Sequence, residues 1–290
     1  VELNSFGCGL DAVVTDQVQE IMHQRGRLYT CLKIDQSLNL GAVRIRLRSL
    51  KAAIEERGEE TGSAKPIEYP KAVFTEAMKR DKDYTILAPE MSPIHFPIIE
   101  AAVQREGYHI EIIPPIHEDI DKGLSCVNND ACYPAIITIG SLMRALTSGK
   151  YDLSKTAVML SQTGGMCRAS NYVGFLHKAL DEAGLSDIPV ISLNTHGFEP
   201  QPGFHFSLSM GRRMIQAVIY GDALQQCLYR TRPYEKEPGS AETLCRSWQK
   251  RCIEAILSGE SYTSYKKNIA GIIVAFSHHI AQKFTKRQRQ

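Results

Sequence analysis

The stretch Ser161-Gln162-Thr163-Gly164-Gly165-Met166-Cys167-Arg168-Ala169-Ser170-Asn171-Tyr172 decides how the chain is read. It follows Thr156-Ala157-Val158-Met159-Leu160, a short apolar run bounded by turn signals, as expected of a parallel strand buried on both faces. Beyond it Tyr172, Val173, Phe175, Leu176, Ala179 and Leu180 recur at helical spacing until Gly184 ends the pattern. A strand therefore runs into a glycine pair, a cysteine and a helix. Adjacent glycines allow a sharp turn and close approach of a bound group, and the free N–H groups of a helix start favour negative charge. A thiolate or an anionic inorganic cluster suits such a place.

Working outward, the pattern predicts strands at 84–88, 109–113 and 189–193, and helices at 92–105, 133–146 and 171–183. A long loop is expected between the 109–113 strand and the 133–146 helix. Strand and helix in turn, with Gly107, Gly149 and Gly184 near helix ends, predict an α/β fold: a Rossmann-like parallel sheet with flanking helices over 71–206. Helical patterns at 208–229, 241–257 and 262–284 predict a C-terminal helical subdomain over 207–290. Upstream, residues 1–58 read as the α/β tail of a preceding domain, with helices at 10–23 and 42–57 and a strand at 28–34. Residues 59–70, polar and broken by glycine and proline, read as a linker. The chain opens on Val1 rather than Met, so it is expected to be a fragment of something longer.

Composition narrows the classes. The 290 residues are 43% hydrophobic, as in ordinary globular proteins, and the formal charge of +2 is too small to imply nucleic acid. The basic run at 283–289 reads as a solvated tail, and Arg44, Arg46 and Arg48 as a solvated face pairing with Glu55, Glu56 and Glu59, with contact to an acidic partner or a phosphate as the alternative. No apolar run reaches the roughly 18 to 20 residues of a membrane span and no signal peptide opens the chain. A soluble, cytoplasmic protein with no membrane partner is expected. Eight cysteines in so long a chain are too sparse for a disulfide framework.

The chemistry concentrates at two of them. Pro134 in Asn128-Asn129-Asp130-Ala131-Cys132-Tyr133-Pro134 fits a first helical turn, which places Cys132 at or just before a helix N-terminus. Cys167 takes the equivalent place one strand–helix unit later. Strand-to-helix loops of a parallel sheet share its carboxyl edge, so the two thiols belong to one rim, where helix N-termini favour thiolates. Cys8, in Asn4-Ser5-Phe6-Gly7-Cys8-Gly9-Leu10-Asp11-Ala12, falls between an extended stretch and a helix and is a candidate third ligand. Gly164, Gly165 and Arg168 are candidates to compensate the charge of a bound group. A zinc site, a redox disulfide, an iron–sulfur site and two reduced core cysteines all remain open, although the chain lacks the CxxC pairs usual for zinc. Cys31, Cys227, Cys245 and Cys252 lie within strand or helix patterns and read as core. Cys126 is a further candidate for the rim, as is His196 in the loop after the 189–193 strand. His95, His278 and His279 read as plain core or surface histidines.

The three cysteine motifs together resemble the large fused proteins related to 2-hydroxyacyl-CoA dehydratases and their activases, and Arg232-Pro233-Tyr234-Glu235 shares the resemblance. In that family ATP-hydrolysing activase modules with an actin-like fold drive a low-potential electron into an iron–sulfur protein. Its dehydratase-like part holds a [4Fe–4S] or double-cubane cluster through dispersed cysteines. The resemblance implies Cys132, Cys167 and Cys8 as metal ligands, an ATP-dependent activase as partner, and a CoA thioester as substrate of a lyase or reductase; an oligomer is compatible with it. No glycine-rich ATPase segment is present, so activase modules are expected upstream, outside this chain. The alternative is a non-catalytic Rossmann-like scaffold that docks an activase or a partner subunit.

Overall fold

The computed structural model describes residues 1–4, 10–34, 40–57, 71–127, 131–162, 167–194, 201–235 and 237–278. In chain order the elements are β1 (Glu2–Asn4), α1 (Leu10–Gln24), β2 (Cys31–Lys33), α2 (Leu40–Arg57), α3 (Glu76–Arg80), β3 (Thr85–Pro89), α4 (Phe96–Gln104), β4 (Ile110–Ile113), α5 (Glu118–Cys126), α6 (Tyr133–Thr147), β5 (Thr156–Gln162), α7 (Tyr172–Glu182), β6 (Val190–Asn194), α8 (Leu208–Thr231), α9 (Ser240–Ser258) and α10 (Tyr262–Ser277). The fold is mixed α/β, and its strand pairs are parallel. No helix among the described residues is long and apolar enough to cross a membrane. The predicted linker lies outside the described residues. Two compact units emerge, one from 1–74 with 115–201 and one from 75–114 with 202–290.

The first unit carries the 156–172 stretch. Ala157, Val158 and Leu160 are essentially inaccessible, so the apolar run is a strand covered on both faces. β5 pairs in parallel with β6 from Val158 opposite Val190 to Gln162 opposite Asn194, and α7 makes the crossover between them. Val173, Phe175, Leu176, Ala179 and Leu180 form the buried stripe of α7. β1 and β2 also pair in parallel, with α1 as their connection. β1 is tied to α1 through side chains: the Asn4 amide donates to Thr15 Oγ1 at 3.2 Å, and the Thr15 hydroxyl donates to Glu2 Oε1 at 2.8 Å. Tyr29 donates to the other Glu2 oxygen, and burial with that carboxylate pushes its phenol well above the usual range.

The expected long loop contains α5, which folds back on α6 as a helical hairpin. The contact is made by backbone. A Cβ on Gly140 would overlap the Asp119 carbonyl, and one on Gly123 would overlap the Ile136 carbonyl. Asp119, with no exposed surface, pairs with Arg144 across the hairpin and accepts the Ile116 N–H at 2.8 Å. Glu118, Asp119 and Asp121 put negative charge in the first turn of α5, where the helix dipole favours it.

In the second unit β3 is buried throughout and pairs in parallel with β4, with α4 as the crossover. Ala101, Ala102 and Ala217 lie in one core with Tyr220, Leu224, Cys245, Cys252, Ile272 and Phe276, so α4 and α8 to α10 share an apolar interior. Small residues at the α4–α8 crossing let backbones approach. Gly221 is the extreme case, since a Cβ there would overlap the His95 ring. His95 is held on both sides, with Nδ1 hydrogen-bonded to Ser92 Oγ at 2.8 Å and Nε2 to Asp222 at 3.1 Å. Glu235, from the Arg232-Pro233-Tyr234-Glu235 motif, accepts the backbone N–H groups of Gly239 (2.7 Å) and Ala241 (2.9 Å) at the start of α9. Those bonds hold its carboxyl below the usual range, so here the motif works as a helix cap.

Glu100 on α4 is a half-buried carboxyl that burial and the neighbouring Glu111 push up to about 7. The folded carboxyl binds its proton more tightly than the unfolded one, so its contribution to stability is full below the unfolded value and falls as pH rises through about 7. Glu100→Gln is expected to raise the Tm at pH about 8 and to leave it nearly unchanged near pH 4. Thermal denaturation of both proteins at the two pH values checks this, and an equal difference at both would contradict it.

Candidate metal centre

Cys132 is the N-cap of α6, with extended backbone at φ −68° and ψ 151°. Its carbonyl accepts the N–H groups of Ala135 (2.9 Å) and Ile136 (3.1 Å), which starts the helix, and Pro134 removes a donor that would otherwise be orphaned. The thiol takes no part in capping and is partly exposed. It is therefore available for other chemistry at the positive end of a fifteen-residue helix. The hairpin geometry also places Cys126, the last residue of α5, at the same tip. Cys126 Sγ lies 3.6 Å from Ser125 Oγ.

Cys167 is exposed and follows β5, as expected, but its local setting differs from that of Cys132. It caps a four-residue 3-10 turn, Arg168–Asn171, and α7 begins only after that turn. The expected equivalence of the two cysteines is thus corrected: one stands at a helix N-terminus, the other one turn before it. The reason lies at Asn171 and Gly174. The Asn171 side chain occupies the space that a Cβ on Gly174 would take, so α7 starts at Tyr172.

Topology relates the two cysteines. In chain order α6, which begins just after Cys132, leads into β5, and Cys167 follows the end of β5. α6 and α7 pack against each other, and α1 packs against the 168–171 turn. Cys8, Gly164, Gly165 and His196 lie outside the described residues, as does the Arg168 side chain. Among the described residues no group of three or more metal-ligating side chains converges. The structure shows two accessible thiols, Cys132 before α6 and Cys167 before the 168–171 turn, with Cys126 close to Cys132 at the hairpin tip.

The other cysteines have the opposite character. Cys31, Cys245 and Cys252 are buried, and Cys227 is partly so. Burial pushes the Cys245 thiol up to about 11 and the Cys252 thiol up to about 12, with smaller contributions from nearby acids, and raises Cys227 as well. These thiols stay protonated and act as small core hydrophobes. A metal demands thiolate ligands, so Cys227, Cys245 and Cys252 are poorly suited to hold one. Sequence reasoning missed the glycine-mediated hairpin that positions Cys132. Its signal was Gly123 and Gly140, which serve as packing notches. None of the family models, curated proteins or solved structures compared with the chain matches it.

Proposed function

We propose that the chain is an iron–sulfur protein related to 2-hydroxyacyl-CoA dehydratases, receiving low-potential electrons from an ATP-dependent activase for the reduction or radical dehydration of a CoA thioester. The observation that carries this reading is the segregation of thiols. Cys132 and Cys167 are accessible, one before α6 and one after β5, whereas Cys31, Cys245 and Cys252 are buried. Dispersed cysteines on loops suit a cluster better than zinc, which favours paired motifs that the chain lacks. The donor set fits as a partial site: Cys132 and Cys167 would hold the cluster from this unit, with Cys8 as the proposed third ligand. When bound, such a cluster supplies one-electron chemistry at low potential.

The chain's own contribution is to fix the thiols. The α5–α6 hairpin sets Cys132 at its tip, and the Cys132 carbonyl starts α6. The finer fold reading belongs to the same proposal. We infer a Rossmann-like arrangement over 71–206, supported by the parallel pairs β3–β4 and β5–β6, each joined through a helix, with 207–290 as a helical subdomain.

The electron-accepting role is tested by anaerobic reconstitution followed by reduction with titanium(III) citrate. A low-temperature paramagnetic signal that is present in the parent and absent in Cys132→Ser is expected. A reconstituted protein whose absorbance and paramagnetic spectrum do not change on reduction contradicts the proposal.

A further inference from the structure

In the second unit, a cleft of about 410 Å³ lies between the N-terminal half of α8 and the end of α9. Ser209, Arg212, Arg213 and Gln216 form one wall, at the spacing that places residues on one face of a helix. Gly259 and Glu260 form the other. Most of the polar groups already have partners. Arg213 pairs with Glu106, and the Ser209 hydroxyl donates to the same carboxylate at 2.7 Å. The Glu260 carboxylate accepts the Tyr220 hydroxyl at 2.7 Å and the Asn268 amide at 3.0 Å. The Arg105 guanidinium lies against Gly259, 3.0 Å from where a Cβ would stand, and so meets the negative end of α9.

Two groups are left over. Arg212 is exposed and makes no hydrogen bond or ion pair among the described residues. Gln216 is only 8% exposed, and its carboxamide has no partner among the described residues. The carboxamide is not sealed from solvent, so on the wall of this cleft it meets water whose place a ligand oxygen can take. The first turn of α8, with Leu208 and Ser209 on the cleft, adds the positive end of a twenty-four-residue helix. The charge is complementary to an anion at Arg212, because Glu106 and Glu260 are both occupied.

We infer that this cleft binds a small molecule bearing an oxyanion, a carboxylate or a phosphate, with Arg212 as its cationic anchor and the Gln216 amide donating deeper in the cleft. This site is built from the second unit alone and is independent of the rim cysteines.

The test follows the Gln216 side-chain NH₂ resonance in the full chain labelled with ¹⁵N-glutamine, assigned by its loss in Gln216→Leu. Orthophosphate and succinate are titrated separately, each against sodium chloride at matched ionic strength. A saturable shift with at least one of the two probes, and none with chloride, is expected. Saturation by phosphate alone assigns a phosphate site, and saturation by succinate alone a carboxylate site. Arg212→Gln, at an exposed position, should weaken that binding about tenfold or more. No saturable shift with either probe over the millimolar range, or equal binding by Arg212→Gln, overturns the inference.

Discussion

Asp119→Ala is expected to cost about 3 kcal/mol of stability and to lower the urea midpoint with little change in slope. The carboxylate has no exposed surface, whereas the Arg144 side chain is 29% exposed. Removing one partner of a buried pair costs about 3–5 kcal/mol, because the remaining charge is left without compensation. Partial access of Arg144 to water puts the expected value at the lower end of that range. The Ile116 N–H also loses its acceptor. Asp119→Asn, which keeps an acceptor but not the charge, should fall between the parent and the alanine variant. Asp119→Leu combined with Arg144→Met should recover much of the loss, because an apolar pair of similar volume leaves no charge uncompensated. A loss below about 1 kcal/mol in Asp119→Ala would contradict the role assigned to this pair.

Gly140→Ala is expected to destabilise by about 3 kcal/mol or more, although the usual effect of the change within a helix has the opposite sign. Replacing a mid-helix glycine by alanine normally stabilises by about 0.5–1 kcal/mol. Here the added methyl would overlap the Asp119 carbonyl and stand 2.9 Å from the Gly123 nitrogen. Both are backbone atoms, so no rotamer change relieves the contact and the two helices must separate. Gly211→Ala provides the contrast. Its Cβ would meet only the Phe206 ring, at 3.0 Å, and a side chain can move. That variant should be within about 0.5 kcal/mol of the parent. Urea denaturation of the two variants side by side decides the point, and equal effects would contradict the close hairpin contact. Because Cys132 stands at the tip of this hairpin, Gly140→Ala should also disturb the geometry offered to a ligand at that thiol.

The parts of this fold that were legible in the sequence are those where local pattern and tertiary packing agree. The apolar run at 156–160 and the stripe from Tyr172 to Leu180 announce β5 and α7 because both bury what they display. Pro134 announced the start of α6 because a ring at the second helical position costs no hydrogen bond. α5 was not legible. Its sequence Glu118-Asp119-Ile120-Asp121-Lys122-Gly123-Leu124-Ser125-Cys126 is mostly polar with a central glycine, and by propensity alone it reads as loop. Tertiary context reverses that, since Gly123 is the notch that lets α5 seat on α6, and Asp119 is polar because it answers Arg144. α3, only five residues long, is too short to show a period and is held by its Thr75 cap. At the candidate site the order strand, cysteine, helix was legible, but the 3-10 turn before α7 was not, because it depends on how Asn171 and Gly174 share one space. The burial of Cys245 and Cys252 followed from their positions within apolar helical patterns.

Iron and acid-labile sulfide, measured per chain after anaerobic reconstitution, test the central claim most directly. The parent and Cys126→Ala, Cys132→Ala, Cys167→Ala and Cys245→Ala variants are compared, with circular dichroism confirming that each is folded. The account predicts stoichiometric iron and sulfide in the parent and in Cys245→Ala, and their loss in both Cys132→Ala and Cys167→Ala. Cys126→Ala shows whether the hairpin tip contributes a second thiol. No specific iron in the folded parent, or iron retained in Cys132→Ala or in Cys167→Ala, would contradict the assignment of these two cysteines as cluster ligands.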